Sequence, residues 1–240
     1  MWARGEYEKS LSWLRTFSGR LADDLGLDLD NPTERVQEVR GMPKMSEYIS
    51  LLARCYLKQG GWQSALKDDW NPVRFLPSAS IAILRPPIQD NIREILHAYN
   101  MSTQLDPTWY KAWHTWALAN FEVVNHLEAG IRAEELLPET LVTHVIAAIR
   151  GTDTIPTRGL LSDLQCPGFF RSISLSERSS LQDVLRLLTL WFKFGAHDDV
   201  CHAIGDGFSS VAVDTWLEVV PQVCYHLRPC TTPNEPCVCR

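Results

Sequence analysis

The chain has 240 residues, 45% hydrophobic and 22% charged, with a net charge of −6. That composition is globular rather than disordered, and its acidic balance argues against a general nucleic-acid or anionic-membrane surface while leaving room for a local basic pocket. No apolar run reaches the roughly 18 residues needed to cross a bilayer, and the first nine residues lack the apolar centre of a signal peptide, so the expected compartment is the cytosol.

Along the chain, helical spacing dominates. Leu11, Leu14, Phe17, Leu21 and Leu25 recur at helical intervals and predict a helix over 7–25. Residues 45–58 carry Tyr48, Ile49, Leu52, Cys55 and Tyr56 on one side, and Gly60-Gly61 predicts the stop. Helices over 91–105 and 107–127 form a pair joined by a tight Asp106-Pro107 link. Asp106 can accept from the first-turn amides of the second helix, and Pro107 fits there because it has no amide to lose. On that second helix Trp109, Trp113 and Trp116 make one stripe, and Tyr110, Ala117 and Phe121 make an adjoining one. Lys111, Thr115 and Glu122 share the polar side. Two adjoining apolar stripes predict neighbours on both flanks, with the aromatics as core.

Residues 136–149 form a further candidate helix. Ser180-Leu181-Gln182-Asp183 reads as a capping box that opens a helix ending at Phe194-Gly195. Helices over 198–210 and 211–219 complete the set, and no segment alternates as a strand does. A repeat is visible in Gly5-Glu6-Tyr7 with Leu11 against Gly60-Gly61-Trp62 with Ala65 and Leu66, each reading as a helix that ends at glycine before an aromatic opens the next. The predicted fold is all-α, an irregular tetratricopeptide-like helical-repeat α-solenoid. An end of such an array that begins at Met1 without a capping repeat is expected to favour aggregation.

Catalytic and metal-binding constellations are weak. Cys55, Cys166 and Cys201 are scattered, and Cys224, Cys230, Cys237 and Cys239 contain no Cys-x-x-Cys pair. His197, Asp198, Asp199, Cys201 and His202 stand close in sequence, but Asp198 and Asp199 read as a helix cap and first-turn charges. His114 reads as a packed histidine beside Tyr110 and Phe121. Ser172, Ser174 and Ser176 lack a nucleophile-elbow frame, and Asp206-Gly207-Phe208 has the wrong order for a kinase magnesium motif. No catalytic residue and no metal ligand is assigned. Arg54 and Lys58, spaced i, i+4, project from one helix face, and Lys111 lies on the polar side of the tryptophan-rich helix. Three cations converging from neighbouring helices would hold a polyanion through charge-assisted contacts.

Four segments carry a family resemblance: Leu52 to Gly60 with Trp62-Gln63, then 105–124, 168–176 and 214–222. They resemble, in order, the C-terminal part of the FAT domain of the target-of-rapamycin serine/threonine protein kinases. The resemblance implies a partial FAT domain over 1–222, a helical-repeat solenoid that clamps the kinase domain of the same protein. It implies that Arg54, Lys58 and Lys111 bind inositol hexakisphosphate. It also implies a parent kinase that uses ATP and magnesium, controls growth in response to nutrients, and works with a complex scaffold and a β-propeller subunit. This chain itself would be non-catalytic and hold no cofactor beyond the inositol phosphate. Its place would be cytoplasmic, with endomembrane surfaces reached through the parent complex. The competing reading is a free-standing tetratricopeptide-like adaptor that binds partner proteins.

The resemblance is interrupted at about 73–89 and 152–167, and residues 223–240 match nothing in the family and read as a disordered tail. Val73-Arg74 and Val223-Cys224 can be encoded by a GT-started splice donor and Gln89 by a CAG acceptor. The segments are therefore read as retained introns, against the alternative of lineage-specific loops. Mature transcripts sequenced across Pro72 to Asp90 are expected to lack the intervening codons; an uninterrupted coding sequence there would identify true loops.

Overall fold

The computed structural model describes residues 5–28, 36, 38, 41–66, 86–129, 139–150, 168–176 and 181–221, apart from the side chains of 43 and 86–90. Of the expected interruptions and tail, residues 73–85, 152–167 and 223–240 lie outside these, as do Ser180 and cysteines 166, 224, 230, 237 and 239. The helices are α1 (Tyr7–Leu25), α2 (Pro43–Leu66), α3 (Pro86–Leu105), α4 (Tyr110–Glu128), α5 (Glu139–Arg150), α6 (Phe169–Leu175), α7 (Leu181–Phe194), α8 (Asp198–Phe208) and α9 (Val213–Leu217). Among the described residues there is no strand, and no helix is long and apolar enough to cross a membrane. The fold is all-α, built as a helical-repeat solenoid is, and it divides into two compact units, Met1–Ala112 and Trp113–Arg240.

In the first unit α1 packs on α2 and α2 on α3. Ala22, Leu25, Ile49, Leu52, Ala53, Tyr56, Ala98, Met101 and Leu105 form its core, with Trp109 packed against it. Helix α1 has the predicted bounds because Gly26 takes the left-handed conformation, φ 62°, and its amide and that of Leu27 close the last carbonyls. Polar side chains stitch the helices together. Gln59 donates to Ser18 Oγ at 2.7 Å, Ser102 Oγ donates to the Ala53 carbonyl at 2.9 Å, and Glu94 of α3 accepts from Arg15 of α1 and Gln63 of α2.

The predicted stop at Gly60-Gly61 is overturned: α2 runs through both glycines to Leu66. A Cβ at Gly60 would lie 2.5 Å from Tyr99 Cε1, so the missing side chain lets the buried Tyr99 ring of α3 lie against the α2 backbone. Trp62 therefore sits inside α2 rather than opening a new helix, and that half of the proposed repeat fails. The tight link also differs in detail. Asp106 caps a short turn, accepting from the Thr108 hydroxyl at 2.9 Å, and α4 begins at Tyr110.

In the second unit α5 packs on α6, α7 and α8, with α6 on α7 and α7 on α8. Its core takes Ala117 and Val124 from α4, then Leu141, Val145, Ile149, Phe169, Phe170, Leu187, Leu190 and Ile204 from later helices. Helix α6 carries no periodic signature because seven residues span barely two turns. It starts at Gly168, whose φ of 94° and close approach to the Ala148 and Ile149 carbonyls leave no room for a side chain. Ser180, the other half of the expected capping box, lies outside the described residues, and Asp183 does more than such a box asks of it. Its carboxylate is fully buried, 2.8 Å from Ser172 Oγ, 2.9 Å from His114 Nδ1 and 3.2 Å from an Arg186 nitrogen. His114 is thus half-buried and bonded to a carboxylate, not merely packed.

Two contrasts test this architecture by urea titration. Gly60→Ala is expected to destabilise by about 1–3 kcal/mol through overpacking against Tyr99. Gly19→Ala, where a Cβ meets nothing within 4 Å, should stabilise by roughly 0.4–1 kcal/mol. A stabilised Gly60→Ala protein would show that the two helices do not depend on this approach. Asp183→Ala should cost about 1–3 kcal/mol by leaving the buried Ser172 hydroxyl and the half-buried His114 and Arg186 without their shared acceptor. Lys193→Ala, which breaks the exposed pair with Glu128, should cost about 0–1 kcal/mol; equal losses would demote Asp183 to an ordinary contact.

Candidate functional site

Helix α2 sorts its residues by face. Ile49, Leu52, Ala53 and Tyr56 turn into the core, which leaves Arg54 and Lys58 exposed on the opposite side, one turn apart. Because α2 continues past Gly60, Trp62 extends the same row at i+8 from Arg54, and the Lys58 ammonium lies 4.9 Å from the centroid of the Trp62 ring. Sequence reasoning assigned Trp62 no role at this site. The i, i+4 spacing from Lys58 was the available signal, hidden by the expected break at glycine.

Lys111 is exposed in the first turn of α4. Ser50 Oγ lies 3.4 Å from Asp106 Oδ2, which ties the link before α4 to α2 one turn ahead of Arg54. Of the three predicted cations, Arg54 and Lys58 share a helix face and Lys111 presents from a different helix. Beneath them Cys55 is buried. Desolvation raises its pKa, and the nearby Lys58 charge opposes that shift. Tyr56 is pushed up by burial and then by Cys55. Both groups are therefore neutral at pH 7, and neither offsets the positive face.

The other constellations resolve into structure. His197 is the residue before α8, Asp198 and Asp199 are its first-turn acids, and His202 Nδ1 bonds the Asp198 carbonyl at 2.7 Å. Asp198 is thus the first helical residue rather than the cap. Among the described residues no group of three His, Cys, Asp or Glu side chains is placed to hold a metal ion. Ser172 bonds Asp183 directly and both are fully buried, so the hydroxyl is committed to the packing between helices rather than presented to a substrate. In Asp206-Gly207-Phe208, Asp206 pairs with Arg150. A Cβ at Gly207 would strike the Phe170 ring, and Phe208 stacks on Trp216 at 4.2 Å between centroids.

Comparison with known proteins places these features in a family. The FAT domain family matches residues 1–75 and 86–189. The chain is 38% identical to the serine/threonine-protein kinase TOR2 of Saccharomyces cerevisiae, over 93% of this chain and 9% of that protein. It is 37% identical to the serine/threonine-protein kinase tor1 of Schizosaccharomyces pombe, over 93% of this chain and 8% of the relative. It is 36% identical to the serine/threonine-protein kinase mTor of Drosophila melanogaster, over 72% of this chain and 6% of the relative. The chain thus spans less than a tenth of the length of these relatives. With a family match across most of its length and a wholly helical described fold, this chain belongs to the FAT domain family, in the form carried by target-of-rapamycin kinases.

Proposed function

We propose that this chain is part of the regulatory FAT solenoid of a target-of-rapamycin-type serine/threonine protein kinase that controls growth in response to nutrients. The segment is non-catalytic by itself. It clamps the kinase domain of the same protein, where ATP and magnesium bind, and works within a complex containing a larger scaffold and a β-propeller subunit in the cytoplasm. The observation that carries this reading is the family match over residues 1–75 and 86–189, with identity of 36–38% to three such kinases. Coding sequence that continues into a kinase domain supports it; a free-standing gene would favour the adaptor reading.

The same reading assigns Arg54, Lys58 and Lys111 to inositol hexakisphosphate. Support comes from their exposure, from the shared face of Arg54 and Lys58, and from the neutrality of Cys55 and Tyr56 below them. Phosphate oxygens accept charge-assisted hydrogen bonds from such cations, and exchange of two of the three positive groups for negative ones would repel the ligand. In the full-length protein, Lys58→Glu with Lys111→Glu should abolish retention of inositol hexakisphosphate through purification. Unchanged retention would reject the site.

A further inference from the structure

We infer that Trp62 is a positioning residue for Lys58, holding its ammonium over the indole face so that the cation meets a polyanion already ordered. This rests on the polyanion reading of Arg54, Lys58 and Lys111 and adds a residue and a physical role to it. A lysine is a compact charge on a flexible four-carbon stem, and fixing that stem costs rotamer entropy. Here the cost is met before any ligand arrives. The ammonium lies 4.9 Å from the Trp62 centroid, inside the roughly 6 Å over which a ring quadrupole attracts a cation.

The backbone makes this placement possible. Lys58 and Trp62 are four residues apart in one uninterrupted helix, so their side chains lie along one row. The ring lies on one side of the ammonium, and Lys58 remains exposed on the same helix face as Arg54 one turn earlier. Trp62 itself is only half-buried, as suits a side chain with one face packed and the other presented to a cation.

A double-mutant cycle in the full-length protein, read as inositol hexakisphosphate affinity by calorimetry, separates positioning from mere packing. Trp62→Leu keeps apolar volume without a ring and should weaken binding about two- to fivefold. Trp62→Phe keeps a ring and should recover most of that loss. In a Lys58→Ala background, Trp62→Leu should have no further effect, because its target is gone. An equal loss in both backgrounds would make Trp62 a structural residue and overturn the inference, as would wild-type affinity for Trp62→Leu alone. If Lys58→Ala itself binds like wild type, the polyanion reading fails and the inference with it. If Lys58→Ala weakens binding while Trp62→Leu does not, only the role of Trp62 falls.

Discussion

The close approach of α3 to the α2 backbone at Gly60 governs what the first unit can display. The Tyr99 ring occupies the space where any other residue at position 60 would carry its Cβ. Two consecutive glycines each weaken a helix interior by about 1 kcal/mol. Against that, burying each large side chain along the contact, such as Tyr56, Ile49 and Tyr99, contributes about 1.5–3 kcal/mol. Burial wins, and α2 stays helical for 24 residues. Only then do Arg54, Lys58 and Trp62 form one row, so the cationic face is a consequence of packing on the other side of the same helix.

The second unit follows a related rule with polar groups. A carboxylate buried as completely as Asp183 would be prohibitively costly if isolated. It is held by groups from α4, α6 and α7, namely His114, Ser172 and Arg186. One acid thereby fixes three helices in register, and a serine and a histidine that could suggest hydrolytic chemistry are used to satisfy it. Asp206-Gly207-Phe208 is spent in the same way: an ion pair, a contact that only glycine permits, and an aromatic stack. Residue types that carry catalysis elsewhere serve here to align helices.

This explains which parts of the molecule are legible in the sequence. Helices with a broad apolar stripe, such as α1 and α4, are readable because the period of the pattern is the period of the helix. The end of α1 is readable because a left-handed glycine closes it locally. The continuation of α2 is not, because the reason for Gly60 lies 39 residues away at Tyr99. Asp183 has the local signature of a capping box, and only the fold reveals that its carboxylate turns inward. Helix α6 is too short to show a period at all. At the candidate site, the spacing of Arg54 and Lys58 is a local property and could be read. Trp62 depends on the continuity of α2 and could not.

On the proposed reading, the arrangement also limits the shape of the ligand. An extended nucleic-acid backbone is held by a track of cations on a surface whose overall potential is positive, and this chain carries a net charge of −6. Two cations about one helical turn apart, joined by one from another helix, instead suit a small anion with several phosphates crowded together. Such an anion would hold Lys111 toward α2, in addition to the weak hydrogen bond from Ser50 of α2 to Asp106 of the link. A ligand bound only when these cations are in place stabilises the folded first unit by mass action.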